Sequence, residues 1–419
     1  LFRFLHLADP HLGYQQYGLP ERGRDFAAAM GRAVRAALDY RPDFVLIAGD
    51  LFHHRQIDAL TLWQAIELLG PLREAGIPVL TVAGNHDLGW RDGTETWLTL
   101  LHHLGYLRQM DFDPTAEDLL SSAEEDTGPI FETESVRVVG LPYLGASLPR
   151  ILGRLAEPLA RMERKYTVLL LHAGIEGTIP GVTEPLRQEH LAALAGAVDY
   201  VALGHRHKPF EWSDTQPPVY NPGSLETVAA DEAEDQGGWY TVEVTPGGGG
   251  GWQHTVEHHP CPRRPFYRLG LDVTALPTPE AVMQAVRDTL AEVPAGGKRA
   301  PVVDLRLYGA LRFAPSALDL NGVALAIEEA TEALKALVRN HAVPSQGPTA
   351  PMTGLTRAAL EQEVLRQAIS QDSRYRSRSD ALARLAAEVK QMALAGTPEE
   401  TVFQHVLSEP AAIGEDEGA

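Results

Sequence analysis

Short apolar runs, all but one of them ending in or followed by glycine, aspartate or histidine, recur along the first half of the chain. They cover residues 2–8, 44–48, 77–83, 136–141, 166–172 and 197–203. Each is short and mostly rich in β-branched, aliphatic or aromatic residues, the pattern of a buried strand. Longer segments between them, 25–39, 60–75, 94–104 and about 148–163, read as helices, with Pro71 expected to bend or break the second. Strand, helix and strand in succession predict a parallel α/β sheet. Residues 239–244 and 253–257 read as a hairpin around the glycine run 247–251, and 218–224 as a strand and turn.

Three prolines between Pro260 and Pro265 mark a boundary. A smaller α/β unit is predicted beyond it: strand 266–273, helix 279–291, strand 302–308 and helix 322–340. Pro344, Pro348 and Pro351 mark 341–354 as a linker. Residues 355–408 are helical in pattern, with apolar stripes that include Leu360, Val364 and Leu365, then Leu382, Leu385 and Val389. Residues 409–419 form an acidic tail. The expected domains are therefore 1–260, 261–340 and 355–408.

Composition adds constraints. The chain of 419 residues is 44% hydrophobic and 22% charged, as in a globular protein. Cys261 stands alone, which excludes an internal disulfide and a thiolate metal site and fits a reducing cytoplasm. No apolar run is long enough to span a bilayer. The net charge of -20 argues against a polyanionic partner globally, although steering follows the local field. Residues 111–134 hold nine acidic residues and no lysine or arginine, so they are expected to form a solvated insertion off any nucleic-acid path. Trp63, Leu69, Trp97 and Leu100 are part of more apolar helix surface than one sheet face obviously needs; a homodimer interface would bury it, and core packing alone is the alternative.

The candidate chemistry lies at the predicted strand ends. These deliver Asp9 and His11, Asp50, Asn85 and His86, His172, and His205 and His207. Each residue alone has a bland reading: Asp-Pro is a common turn pair, and a lone histidine is often a core hydrogen-bonder. Together they are hard and borderline ligands suited to Mn²⁺, Fe²⁺ or Zn²⁺. Strand ends on one edge of a parallel sheet converge. Asp50, with two carboxylate oxygens, is the expected bridge of a two-metal site, an arrangement suited to hydrolysis of phosphoryl esters. His86 is left to stabilise developing charge or protonate a leaving group. His53 is the second candidate, orienting His86 or contacting phosphate. Tyr14, Tyr17, Arg22 and Arg24 mix aromatic and basic character in the predicted loop 12–24, as a nucleic-acid contact would.

Taken in order, Asp-x-His, Gly-Asp-x-x-His, Gly-Asn-His-Asp, a lone histidine and Gly-His-x-His resemble the motif set of the calcineurin-like metallophosphoesterases. The flanks, His6-Leu-Ala-Asp-Pro-His-Leu-Gly-Tyr14, Ile47-Ala-Gly-Asp-Leu-Phe-His53 and Tyr220-Asn-Pro-Gly-Ser-Leu-Glu226, resemble the SbcD-like nuclease subunits of the double-strand-break repair complex. The resemblance implies a β-sandwich flanked by helices, a small α/β domain capping the DNA-binding face and a helical tail. It implies one metal on Asp9, His11, Asp50 and His207, and another on Asp50, Asn85, His172 and His205, with His86 and His53 catalytic. It also implies Mn²⁺-dependent 3′-to-5′ exonuclease activity on duplex DNA and endonuclease activity on single strands or hairpins. The homodimer would use helices 60–75 and 94–104. A coiled-coil ATPase of the SMC type (SbcC-like) would bind 355–408, in a cytoplasmic, nucleoid-associated setting. Pro10 departs from the family pattern. Arg263, Arg264, Arg268, Arg306 and Arg312 form no dense basic patch; Arg374, Arg376 and Arg378 are a second candidate contact. The alternatives are a metallophosphoesterase acting on a small phosphodiester or phosphomonoester, and a DNA-end scaffold with vestigial metals.

Overall fold

The computed structural model describes residues 1–89, 95–121, 128–176, 185–248, 251–294, 297, 299–344, 357–370, 375 and 378–408. Among the described residues, twelve strands build the main body. They are β1 (Phe2–Leu7), β2 (Phe44–Ile47), β3 (Val79–Thr81), β4 (Arg108–Gln109), β5 (Ile130–Glu132), β6 (Val136–Leu141), β7 (Tyr166–His172), β8 (Tyr200–Gly204), β9 (Phe210–Trp212), β10 (Val219–Asn221), β11 (Gly238–Pro246) and β12 (Trp252–Pro260). One six-stranded sheet has the order β12-β11-β1-β2-β3-β4, the other β5-β6-β7-β8-β10-β9. Strands β1 to β4 are parallel and β11 joins β1 antiparallel, so the sheets are mixed, not wholly parallel.

Alternating residues explain the layering, because successive side chains in a strand face opposite sides. Phe4, Phe44 and Leu46 point into a core shared with Val138, Val168 and Leu170. Their neighbours Leu5, Val45 and Ile47 face helices α1 (Pro20–Tyr40), α2 (Ala59–Glu74) and α3 (Trp97–His103). Val139, Leu169 and Leu171 face α4 (Leu148–Arg161) and, with Leu191, the short helix α5 (Gln188–Ala192). The result is helix, sheet, sheet, helix.

His6 is a polar residue inside this sandwich. Its Nδ1 lies 3.1 Å from the Tyr200 hydroxyl and its Nε2 3.2 Å from the Leu203 carbonyl, so it links β1 to β8. Burial lowers its pKa from 6.5 to about 3, against the pull of the Leu203 carbonyl. A folded-state pKa below the unfolded one gives stability that is complete above pH 6.5 and is lost as pH falls toward 3, by at most about 1.4 kcal/mol per pH unit. His6→Phe should be less stable than wild type at pH 7, and the gap should narrow at pH 4; an equal gap in urea-denaturation stability at both pH values would show that the buried His6 ring contributes nothing to the pH dependence.

Several boundaries differ from the sequence expectation. Helix α1 begins at Pro20, not 25, since proline suits a first helical turn. Helix α2 continues through Pro71 to Glu74, only a turn short of its end, and Asp58 caps its start by accepting from Thr61 N at 2.8 Å. β8 starts at Tyr200 because Ala197 and Val198 are turned back onto the Leu194 carbonyl. Residues 335–340, expected as helix, are a strand. The helix over 320–331 ends where Glu332 adopts a left-handed φ of 51°. In the 111–134 segment Phe112 and Leu119 are buried, and Arg154 bonds the carbonyls of Pro114 and Ala116, so part of it packs down.

The chain divides into two compact units. The first comprises Leu1–Gly270, Val286–Arg306 and Leu320–Arg339; the second comprises Leu271–Ala285, Leu307–Asp319 and the chain from Asn340. Beyond the sandwich run β13 (Phe266–Asp272), α6 (Pro279–Thr289), β14 (Val302–Tyr308), β15 (Ala310–Leu311), α7 (Leu320–Thr331), β16 (Lys335–Asn340) and β17 (Val343–Pro344). β13, β14 and β16 form one sheet. The second unit ends in α8 (Arg357–Ser370), α9 (Ser379–Leu394) and α10 (Glu399–Leu407), where α9 packs on both neighbours and Glu388 meets His405 at 2.9 Å. Most of the expected linker, Arg374, Arg376 and the acidic tail lie outside the described residues. No helix among the described residues is long and apolar enough to cross a membrane.

Candidate metal centre

The parallel strands of the two sheets bring their carboxyl ends together. β1 leads to Asp9 and His11, β2 to Asp50, and β3 to Asn85 and His86. From the other sheet β7 ends on His172, and β8 leads to His205 and His207. His172 Nδ1 donates to the Ala48 carbonyl at 2.8 Å, so the second sheet is tied directly to the strand that carries Asp50. The segment after β10 shapes the last pair: Asn221 Nδ2 donates to the carbonyls of Arg206 and Lys208, and Ser224 N to that of His207.

Nitrogen and oxygen donors converge in two sets. In one, Asp9, His11 and His207 meet, with His11 Nε2 and His207 Nε2 3.0 Å apart. In the other, Asp50, His172 and His205 meet; His172 Nε2 is 3.3 Å from Asp50 Oδ2 and 3.1 Å from His205 Nδ1. Asn85 Oδ1 joins the second set, 3.1 Å from His172 and 2.9 Å from His205. Asp50 Oδ2 also lies 4.0 Å from His11 Nε2, which places it toward both sets. Donors about 2.1 Å from one octahedral cation sit ~3 Å from each other, so these spacings fit divalent ions. Bare ring nitrogens facing at that distance need a cation or a proton between them. A third group, His11, His53 and His86, stands beside them.

Charge in the pocket agrees with that fit. Burial, with the neighbouring His207, pushes His11 well below its usual pKa; burial and His172 bring His205 down to about 3. Both rings are therefore neutral donors. Burial works against charge on His172 as well, yet the Asp50 and Asp9 carboxylates outweigh it and raise His172 to about 9. Burial raises Asp50 as well, but His172 first, then His11 and His86, outweigh it and hold its carboxyl below the ordinary carboxylate range. The positive charge that these carboxylates draw onto His172 is the charge a bound cation takes over.

Backbone strain collects here. Asp9, His11, Asp50 and His205 all have left-handed φ, between 48° and 89°, a region that residues other than glycine seldom occupy. Asp87 holds the turn together by accepting from the N–H groups of Leu51, Phe52 and Gly84 at 3.0 to 3.2 Å. Burial, reinforced by Asp50, lifts its pKa to about 7. Gly84 is required for space, because a Cβ there would overlap the Asp50 carboxyl. Gly84→Ala should therefore lower bound divalent metal and turnover by at least ~10-fold without removing a donor; unchanged metal content by elemental analysis would show that Asp50 can move aside.

His86 donates from its backbone N to Asp50 Oδ1 at 2.9 Å, and its Nδ1 bonds the His53 carbonyl at 2.6 Å. It borders two grooves, of about 540 and 530 Å³. His53 Nδ1 lies 3.3 Å from His11 Nδ1, and Tyr14 stacks on the His53 ring at 3.6 Å between centroids. His53 thus reaches His86 through its main chain and His11 through its side chain. Arg22, expected as a phosphate contact, is fully buried. It bonds Gln16, Asp25, Glu226 and the Thr227 carbonyl, so its charge is spent within the fold. Arg264 joins the same network through Asp25. Sequence reasoning gave no role to Asp87 or Glu232. The first was visible as the last residue of Gly-Asn-His-Asp; the second had no local signal.

The calcineurin-like phosphoesterase family matches residues 2–209. Among curated proteins, the DNA double-strand break repair protein Mre11 of Aeropyrum pernix is 32% identical over 281 residues, 65% of this chain and 64% of that one. Its namesake in Archaeoglobus fulgidus is 31% identical over 236 residues, 55% of this chain and 52% of the relative. That of Haloferax volcanii is 30% identical over 286 residues, 68% and 58%. This chain thus spans between half and two thirds of the length of each of these relatives. By its two mixed sheets, its convergent carboxylates and imidazoles and this homology, the chain carries a calcineurin-like metallophosphoesterase domain of the kind found in the Mre11 proteins.

Proposed function

We propose that this chain is a Mn²⁺-dependent DNA nuclease of double-strand-break repair, acting 3′ to 5′ on duplex ends and as an endonuclease on single strands or hairpins. The observation that carries the proposal is the position of Asp50, whose carboxylate faces both convergent donor sets. In this reading Asp9, His11, Asp50 and His207 hold one cation and Asp50, Asn85, His172 and His205 the other. Two such ions, when bound, supply an activated water and neutralise charge on the phosphoryl oxygens.

The chain's own residues do the rest. Asp50 takes up the His86 N–H, which fixes the start of the turn that carries the His86 ring. The His53 carbonyl accepts from His86 Nδ1, so the ring in its imidazolium form would carry a second proton on Nε2 to give to the leaving oxygen, and a positive charge to stabilise the negative charge beside it. His53 backs His11 and is stacked by Tyr14, so it keeps the donor set and the acid in register. Arg55 and His54 line the groove on one side of His86, where phosphates of a continuing strand would run; on the other side Arg206 and Lys208 share the groove with Asp231, Glu232, Glu234 and Asp235, and Lys208 pairs with Asp235 at 3.2 Å.

Further parts of the reading concern assembly. Residues 1–260 would form the nuclease domain, 261–340 the cap, and 355–408 the docking region for an SMC-like coiled-coil ATPase. Leu60 and Trp63 of α2 and Leu100 of α3, with Leu104 just beyond it, are exposed, which suits a second copy; a sedimentation mass of one chain would remove that part. The central experiment is cleavage of end-labelled duplex DNA with and without Mn²⁺. Release of label only with Mn²⁺ supports the nuclease. Hydrolysis of a cyclic dinucleotide or chromogenic diester with no cutting of DNA would replace it by a small-substrate phosphodiesterase. Deleting 355–419 should spare Mn²⁺-dependent cutting and abolish co-purification with the ATPase; retained association moves the docking site elsewhere.

A further inference from the structure

We infer that Glu232 is a positioning residue for the Asp9, His11, Asp50 and His207 site, holding the His207 ring and making this site the tighter of the two. The inference rests on the cation pair of the proposed function. Glu232 lies in a single turn of 3-10 helix, Ala230–Glu232, well separated in sequence from His207. Its Oε1 is 2.7 Å from His207 Nδ1. Its Oε2 accepts from the backbone N–H groups of Val228 and Ala229 at 2.9 and 3.1 Å. The carboxylate is therefore anchored at both oxygens and cannot swing away from the ring.

An anionic acceptor at Nδ1 keeps the proton there and leaves the Nε2 lone pair for a cation. That Nε2 is the atom 3.0 Å from His11 Nε2. The other donor set has a different backing. His172 Nδ1 donates to a neutral peptide carbonyl, that of Ala48, at 2.8 Å. A full negative charge behind one imidazole and a dipole behind the other make His207 the stronger donor. The two sites, alike in having carboxylate and imidazole ligands, are thus made unequal by a residue that touches neither ion. Glu232→Gln removes the charge, and the amide cannot serve both the ring and the two backbone N–H groups: one of its ends has only donors.

The test is calorimetric titration of the full chain with Mn²⁺ alone. Wild type should bind in two classes. Glu232→Gln should weaken the tighter class by about 10- to 100-fold and leave the weaker class within twofold. Glu232→Asp, which keeps the charge, should weaken the same class less than Glu232→Gln does. His207→Ala should abolish the class that Glu232→Gln weakens. Equal affinities in wild type and Glu232→Gln, or equal loss from both classes, would overturn the inference and leave the cation pair standing. Two Mn²⁺ bound as a single class in wild type would overturn the inference and leave the cation pair standing; fewer than two Mn²⁺ bound by wild type would overturn the inference and the proposed function together.

Discussion

Asp50→Asn should empty the pocket of bound cations and reduce phosphodiester cleavage by at least ~10³-fold. The expectation comes from position and charge together. Asp50 Oδ2 is 3.3 Å from His172 Nε2 and 4.0 Å from His11 Nε2, so one oxygen serves both donor sets. Oδ1 accepts the His86 N–H at 2.9 Å, a bond that asparagine can retain through its carbonyl oxygen. The substitution therefore removes charge while leaving the turn intact. His172 loses the main carboxylate that offsets its burial, and the pocket loses the anion that balances two divalent ions. Elemental analysis after gel filtration reads the metal content, and the melting temperature of the metal-free protein reports the fold. Two retained ions with normal turnover would show that another residue joins the sites, and Asp9, 3.9 Å from His172 Nδ1 through Oδ1, would be the next candidate.

His86→Gln should do the opposite on one readout and the same on the other. Its ring is held by the His53 carbonyl and is absent from both complete donor sets, so Mn²⁺ content and DNA affinity should stay within a few-fold of wild type. Cleavage should fall by about 10²- to 10⁴-fold, the usual worth of a positioned acid or base. Single-turnover cutting of a labelled hairpin, alongside a binding isotherm on the same DNA, separates the two effects. Unchanged cutting would make His86 a bystander and would turn attention to His53. Loss of binding and cutting together would mean that the ring shapes the groove and does not act on the reacting atoms.

The two outcomes depend on features that differ in how far the sequence displays them. The strand ends were legible because each couples an apolar run to a polar triplet, as at Phe44 to Asp50, and that coupling is local. The mixed character of the sheets was not, since the antiparallel partner of β1 comes from Gly238–Pro246, more than two hundred residues away. Residues 335–340 have a helical neighbour and a weak pattern, and only pairing within the β13-β14-β16 sheet decides for a strand. Arg22 read as a surface cation because nothing near it in sequence announces Glu226, its buried partner at 3.2 Å. Glu232 was invisible for the same reason: its importance lies in a bond to His207, and no spacing rule links a carboxylate in one turn to a ring in a distant loop.

The left-handed backbones of Asp9, His11, Asp50 and His205 carry a consequence for handling the protein. Such conformations persist only where surrounding packing enforces them, so here the scaffold shapes the pocket in advance and the ions do not. Chelation should then leave a folded, slightly less heat-resistant chain that recovers its ions on mixing, with no slow refolding phase. Glycine at any of the four positions would relax the turn and ease folding, at the expense of the donor that the strain exists to present.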